Sequence, residues 1–481
     1  MAGTFARSTQ LLVVGGGPGG YMAAIRSGQL GRKVLLVERQ DLGGECLNRG
    51  CIPSKALIHA SLLYHAIRTE GGEIGVSATE PKFDLARTMR WKEEVVAKER
   101  QGVTGLLKSA GVAVMAGSAR FTGPHSVDVV APDGGHERVD FEQAIIAVGA
   151  HHSTIPGFET DGDRVVNAWE LLSLKSLPRS MLVLGGGVSG CELGEFLARV
   201  GVDVTIVEMM PQLLPGVEPD LARELTGTLE QLGVKVRVGT RAVALRQEPE
   251  SLTMTVEGPA GREELSGERL FVTIGKRPNT GELGLEEAGV QFDAKSGFIT
   301  VDDQMRTNQP HLFAVGDVAR PPMLAHKAYR EGVVAAEAAD GRATRFQFRA
   351  MPSVVFTTPE LATVGLTRAE AEAKGYAARE ARFPYLALGR AHANHALQGW
   401  VKLVGDDRTG LVLGVHAAGE GVGEFIAEVA HAIEMGATVR DLALTIHPHP
   451  TFSETLQEAA FVWLGEPMHV AARRRTDAGG R

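Results

Sequence analysis

The chain has 481 residues, a formal net charge of −8, 44% hydrophobic and 22% charged residues, and three cysteines. At roughly 150 residues per domain the length allows about three folding units, each able to bury a core. The acidic balance argues against a surface that neutralises phosphate backbones, so no nucleic-acid partner is expected. Three cysteines are too few for a disulfide-stapled secreted scaffold. The first apolar run, Leu11–Val14, is too short for a signal peptide, and no stretch of about 20 apolar residues follows, so a cytoplasmic protein off the membrane is expected. Glycine is about 12% of the chain against a usual ~7%, which asks for tight turns or close backbone approaches.

Leu11–Val14 reads as a short buried strand, Gly15-Gly16-Gly17-Pro18-Gly19-Gly20 as the turn after it, and the stretch to about Leu30 as a helix closed by Gly31. Val34–Val37 reads as a second strand ending at Glu38. In a Gly-x-Gly-x-x-Gly turn of this kind Gly15 makes the tight bend, Gly17 lets the backbone reach a pyrophosphate, and Gly20 lets helix and strand pack closely. The phosphates then meet the unpaired N–H groups and positive dipole end of the helix, and Glu38 accepts from a ribose. One copy of such a turn is weak evidence.

Eight residues past Glu38 stands Cys46, with Cys51 five further on, in Gly43-Gly44-Glu45-Cys46-Leu47-Asn48-Arg49-Gly50-Cys51-Ile52-Pro53-Ser54-Lys55. Five residues of ideal helix advance about 7.5 Å, beyond the roughly 4.4–6.8 Å Cα separation of a disulfide. The two therefore pair only across an interruption. Gly50 permits one, and Pro53 suits the first turn of a helix starting near Cys51, whose N-terminus favours a thiolate. In a cytosolic chain such a pair is expected to be redox-active. The bland alternatives are two buried cysteines or half a metal site; with no second pair, no metal is expected. A dithiol passes electrons through sulfur and a nicotinamide takes hydride, so an intermediate carrier is useful: a flavin in the first unit, with the disulfide against one ring face and nicotinamide against the other.

Met181–Leu184, the turn Gly185-Gly186-Gly187-Val188-Ser189-Gly190, a helix to about Val200, Gly201, and Val204–Val207 ending at Glu208 repeat the pattern. Gly31 and Gly201 each lie 11 residues past the last motif glycine, Gly20 or Gly190, and Glu38 and Glu208 each lie 18 past it. Two copies, with Gly185, Gly187 and Gly190 in register with the first set, predict two dinucleotide units. Glu208 is followed by Met209-Met210-Pro211-Gln212-Leu213, without an arginine for a 2′-phosphate, so NAD is preferred to NADP. Cys191 is expected in the core of the second helix. Ile145–Gly149 and Phe271–Gly275 bracket this unit, with Gly149 and Gly275 beside nucleotides. Thr307 to Asp317 reads as a polar lead-in, a short strand and Gly-Asp, presenting Asp317 to a polyol chain. From about Met351 strands alternate with helices and no phosphate motif occurs. The expected fold class is α/β: two Rossmann-like dinucleotide-binding domains plus a C-terminal α+β domain.

The run from Gly43 to Lys55 resembles the dihydrolipoamide dehydrogenase group of the pyridine nucleotide–disulfide oxidoreductases. So do Gly275-Lys276-Arg277-Pro278-Asn279, Met323-Leu324-Ala325-His326-Lys327-Ala328 and His447-Pro448-His449-Pro450-Thr451-Phe452-Ser453-Glu454, while Thr307–Asp317 is similar to the second flavin motif of two-dinucleotide flavoproteins. The resemblance runs from about Leu11 to Val470. It implies oxidation of dihydrolipoamide by NAD⁺ through FAD, with Cys46 as interchange thiol and Cys51 as the thiol beside the flavin. It implies that Lys55 lies near the flavin's reactive nitrogen and pairs with Glu192, that Asp317 and Ala325 contact the flavin nucleotide, and that His449 is the base, held by Glu454. It also implies a homodimer in which His449 reaches the cysteine pair of the other subunit. The domains would be 1–155 for FAD with the cysteine pair, 156–278 for NAD, 279–350 for the rest of the FAD/central domain, and 351–481 for dimerisation. The partner would be the lipoyl-bearing acyltransferase of a 2-oxoacid dehydrogenase complex, or a glycine-cleavage lipoyl carrier, since the chain starts directly with its first nucleotide unit.

Without the resemblance, His447 and His449 read equally as an exposed Pro-flanked turn, although a histidine has the right pKa to take a thiol proton; His447 is expected to be a structural neighbour. Three positions depart from the pattern. Arg49 stands at a usually aliphatic place and is expected to face solvent, the alternative being that its charge favours a thiolate. Val188-Ser189 replaces a bulkier pair, which alters gating of the nicotinamide pocket, and Val148 stands where a smaller residue is common. Arg473-Arg474-Arg475 reads as a solvated tail. The rival readings are a mercuric or glutathione-type reductase and a non-catalytic flavin or NADH-sensing module. No cysteine follows Cys191, Glu208 disfavours NADP, and the set of Cys46, Cys51, Lys55, His449 and Glu454 speaks against a module without turnover.

Overall fold

The computed structural model describes residues 7–69 and 71–471; the Arg473–Arg475 tail lies outside them. The strand that holds Leu11–Val14 begins at Arg7, four residues earlier than its apolar run suggests, because Arg7–Thr9 pair with Val139–Phe141. This strand is central in a sheet ordered 113–116, 34–38, 7–14, 136–146, 126–130, 118–123, parallel through the first four strands. Leu312–Ala314 pairs in parallel with Ala144–Ile146, so the chain returns to this sheet after an excursion of some 160 residues. That return brings Gly316 and Asp317 to the carboxyl ends of the strands, beside the Gly15 turn, where ligands of open α/β sheets bind. Helices Pro18–Gln29 and Ala325–Ala339 pack against one another on one face. A side chain at Gly332 would come within 3.0 Å of the Gly19 carbonyl, and Arg26 and Glu337 form an ion pair at 2.6 Å.

The second unit is a parallel sheet ordered 235–237, 203–207, 180–184, 269–272, 165–166. An antiparallel meander of strands 241–247, 252–258 and 261–267 packs Leu252, Met254 and Val256 onto Leu182 and Leu184. The chain crosses between the two units twice, and the crossings pair with each other: Ala150–His152 runs antiparallel to Lys276–Pro278. The third part is a five-stranded antiparallel sheet ordered 353–355, 361–365, 412–418, 400–406, 378–384. Strands 400–406 and 412–418 are buried along their whole length beneath the apolar faces of helices Val422–Met435 and Glu454–Leu464.

The expected α/β class with a C-terminal α+β part is therefore observed. The 25-residue helix Leu85–Ser109 and the meander are absent from the sequence reading. The helix buries only Lys92, Val96, Val103 and Leu107, a stripe too sparse to stand out among its charges.

Candidate functional site

The two glycine turns are built alike. An added Cβ at Gly20 would fall within 3.0 Å of the Gly15 carbonyl oxygen, and one at Gly190 within the same limit of the Gly185 carbonyl. The third glycine of each motif is thus where helix and turn touch. Gly15 and Gly185 take φ of +101° and +112°, which side chains avoid. Helices Pro18–Gln29 and Val188–Arg199 begin without a side-chain cap or an acid in the first turn, so their N–H groups and dipoles remain available to an anion. Each acid also grips its own turn. Glu38 accepts from Gly16 N at 2.6 Å and Gln40 N at 2.7 Å; Glu208 accepts from Gly186 N and Met210 N, both at 2.7 Å. Sequence reasoning assigned both acids to ribose alone and missed this clamp.

The first turn opens into a cavity of about 1150 Å³ lined by Gly15, Gly17, Glu38, Cys46, Cys51, Lys55, Gly149, Glu192, Asp317 and Ala325, with Val148, Val188 and Ser189 also in the wall. Its volume exceeds the roughly 300–1,000 Å³ of an ordinary small-molecule pocket. Gly44, at φ +63°, presses so closely on the turn that a Cβ there would meet Gly17 Cα at 2.5 Å, whereas one on Gly17 meets nothing nearer than 3.8 Å. The cradle is tight behind and open in front, as a bound pyrophosphate requires, and the residues fit FAD. Gly20 lies behind the wall, and Gly185, Gly187, Gly190, Glu208 and Gly275 stand around the second turn rather than along this cavity. Asp317, in the short 3-10 turn Gly316–Val318, has its carboxyl pushed above the usual range by burial, against the pull of Lys276.

Helix Gly44–Arg49 ends at Gly50, with φ −141° and ψ −104°, and a second helix, Cys51–Thr69, starts at once. The break brings the Cα atoms of Cys46 and Cys51 to 4.6 Å and the two are disulfide-bonded. One turn beyond Cys51, Lys55 Nζ lies 2.8 Å from Glu192 Oε2 and 4.4 Å from the centre of the Phe356 ring. Glu192 comes from the helix of the second glycine motif and its other oxygen accepts from Phe356 N at 2.9 Å. One carboxylate thus joins the cysteine helix, the second unit and the start of the third. Glu195, one turn on, accepts from Thr358 N at 3.1 Å and pairs with buried Arg199, which also donates to Thr358 Oγ1 at 2.5 Å. Sequence reading missed Glu195, Arg199 and Phe356; three charges on an otherwise apolar helix were the available signal. Cys191 is fully buried, and burial pushes its thiol far up, so it is inert packing.

Arg49 does not simply face solvent. Its guanidinium donates to Gln40 Oε1 at 3.0 Å, lies 3.5 Å from Asp41 and stands 5.6 Å from the centre of the Trp169 ring. Residue 169 belongs to the second unit, so no local pattern could announce the contact.

His449 Nδ1 is 2.9 Å from Glu454 Oε1, and Glu454 Oε2 accepts from Thr451 N at 2.7 Å. The ring is 76% exposed and does not line the cavity that holds the cysteine pair. His447 is not an exposed turn residue: its side chain is 3% exposed, bonded to Glu428 at 3.1 Å and Thr445 O at 3.0 Å, and the Glu428 bond raises its pKa.

Residues 9–332 match the family described as pyridine nucleotide-disulphide oxidoreductase, and residues 351–460 match the dimerisation domain of that family. The dihydrolipoyl dehydrogenase of Thermus scotoductus is 45% identical over 97% of this chain and 100% of its own length. That of Bacillus subtilis is 40% identical over 98% and 99%. Among solved structures, LpdA from Mycobacterium tuberculosis has a TM-score of 0.88 at 29% identity, covering 94% of this chain and 99% of that one. The HOCl-induced flavoprotein disulfide reductase RclA from Escherichia coli has a TM-score of 0.83 at 26% identity, covering 94% and 99%.

Proposed function

The chain belongs to the pyridine nucleotide-disulphide oxidoreductase family, and from that premise we infer that it works as a dihydrolipoyl dehydrogenase using FAD and NAD: dihydrolipoamide + NAD⁺ ⇌ lipoamide + NADH + H⁺. The observation that carries the reading is the Cys46–Cys51 disulfide in the wall of the cavity that the first glycine turn opens into.

A substrate thiolate attacks the Cys46 sulfur, breaking the Cys46–Cys51 bond and forming a mixed disulfide. The second substrate sulfur then closes the lipoyl ring and leaves both cysteines reduced. His449 of a second copy of the chain takes the substrate's proton at Nε2, while Glu454 at Nδ1 fixes tautomer and orientation. Lys55, one helical turn from Cys51 and tied to Glu192, keeps a cation where negative charge develops. FAD, held by Gly15, Gly17, Glu38, Gly149, Asp317 and Ala325, with Gly20 setting the helix against the turn behind them, supplies the two-electron passage between thiols and nicotinamide when bound. NAD is held by Gly185, Gly187, Gly190, Glu208 and Gly275. The cycle closes when the cysteines re-form their disulfide and NADH leaves.

The domain limits 1–155, 156–278, 279–350 and 351–481 belong to the same proposal, supported by the ribbon of 150–152 with 276–278 at the two crossings. A homodimer is supported by the match of 351–460 to the dimerisation domain and by the exposure of Leu444 and Ile446 just before His449. A lipoyl-bearing acyltransferase of a 2-oxoacid dehydrogenase complex, or a lipoyl carrier protein, is the proposed source of the dithiol, in the cytoplasm. Among the described residues no helix is long and apolar enough to cross a membrane.

The test is to supply dihydrolipoamide or glutathione with NAD⁺ or NADP⁺ and follow the reduced nucleotide. NADH formed from dihydrolipoamide is expected; activity confined to glutathione and NADP⁺ would overturn the reading.

A further inference from the structure

Helix Gly44–Arg49, which carries Cys46, is held at two points one turn apart. Glu45 forms an ion pair with Lys276 on the crossing ribbon. Four residues on, on the same side, Arg49 reaches Trp169 of the second unit at 5.6 Å and is steadied by Gln40 and by Asp41, which also takes Arg100 at 2.6 Å. The two holds converge behind the helix. Trp169 meets His152 edge-on with ring centres 5.0 Å apart, and His152 pairs in register with Lys276. Glu45, Arg49, His152, Trp169 and Lys276 all line the large cavity. Trp169 is fixed in turn by its short helix, whose capping residue Asn167 accepts from Trp169 N at 2.8 Å.

We propose that Arg49 and Glu45 form a two-point clasp that fastens the Cys46 helix to the second unit and keeps the cavity closed on FAD. The proposal rests on the reading that FAD fills that cavity. Arg49 is then a positioning residue: it acts through Trp169, with its charge paired with Asp41. Releasing FAD requires the wall to open, and opening separates the guanidinium from the indole.

The experiment measures the first-order release of FAD from purified holoenzyme into an excess of an apoflavoprotein trap, for wild type, R49V, W169L and the double variant, with R49K added because it keeps the charge and loses the guanidinium's hydrogen bond to Gln40. Release from R49V is expected to be roughly five- to fiftyfold faster, combining one cation–π contact and one exposed hydrogen bond. R49K should fall between wild type and R49V, and the double variant should be no faster than the faster single variant. Release from R49V within about twofold of wild type would overturn the proposal, and so would a double-variant factor equal to the product of the singles. Should W169L fail to fold, R49V against R49K decides: equal rates for the two overturn the cation–π role. Protein purified without any FAD would instead contradict the functional reading itself.

Discussion

Alanine at Gly20 and alanine at Gly190 are matched perturbations of two turns with one architecture. In each case the new Cβ falls within 3.0 Å of a backbone carbonyl, that of Gly15 or Gly185, with no flexible side chain to yield. The helix has to back away by about 1 Å, which costs about 1–3 kcal/mol as overpacking. The same shift lengthens the hydrogen bonds from helix N–H groups to phosphate, worth about 1.5–3 kcal/mol where the acceptor is charged. The overpacking cost falls on the free and bound forms alike, so affinity loses the hydrogen-bond part, roughly 10- to 150-fold for each such bond. Gly20→Ala should lose FAD, read from the flavin absorbance of the purified protein and by titrating FAD back. Gly190→Ala should keep its FAD and lose NADH binding, read by nucleotide fluorescence. A Gly190→Ala protein as depleted of flavin as Gly20→Ala, or a Gly20→Ala protein with full, tightly held FAD, would refute the division of labour between the turns.

Glu192→Gln leaves the Phe356 N–H with an acceptor and removes the charge opposite Lys55. The largely buried, charge-assisted contact is worth about 1.5–3 kcal/mol, so rapid-mixing reduction by dihydrolipoamide should slow by roughly ten- to a hundredfold; an unchanged rate would remove Lys55 from the mechanism. His449→Gln should slow dithiol oxidation by roughly 10²–10⁴-fold with little change in the KM for NAD⁺, and equal losses in both would count against its role as base. Burial pushes the Glu195 carboxyl up to about 7, against the pull of Arg199. A carboxyl whose folded pKa lies above its unfolded value of about 4.5 contributes stability that is complete below that value and is lost as pH rises through about 7. Between about pH 5 and pH 8 the melting temperature of wild type should therefore fall relative to Glu195→Gln; a gap moving the other way would mean that Arg199 holds the carboxylate ionised.

The frame was legible because it is written locally. A four-residue apolar run, three glycines and an acid 18 positions on recur with the same spacing, and each spacing is fixed by a turn, a helix length and a strand. The break at Gly50 was legible for the same reason, since five residues of helix cannot bring two cysteines together. What stayed hidden depends on contacts across units. Arg49 reads as an exposed residue until Trp169 is beside it, and Glu195 and Arg199 draw no notice until Thr358 is bonded to them. The clamp of Glu38 on Gly16 and of Glu208 on Gly186 was within reach of the sequence. Both acids end strands next to turns full of unpaired N–H groups, and only the attention given to ribose obscured it. His447 is the structural neighbour expected of it, but its partner was hidden, because Glu428, which draws it inward, lies 19 positions back.

The central claim is that electrons enter through sulfur at Cys46. Anaerobic rapid mixing of holoenzyme with dihydrolipoamide, in wild type and Cys46→Ser, followed at the flavin band and then challenged with NAD⁺, tests it most directly. The account predicts fast bleaching and recovery in wild type, and a Cys46→Ser protein that retains FAD and binds NADH but is not bleached by the dithiol. Bleaching of Cys46→Ser at the wild-type rate would contradict it.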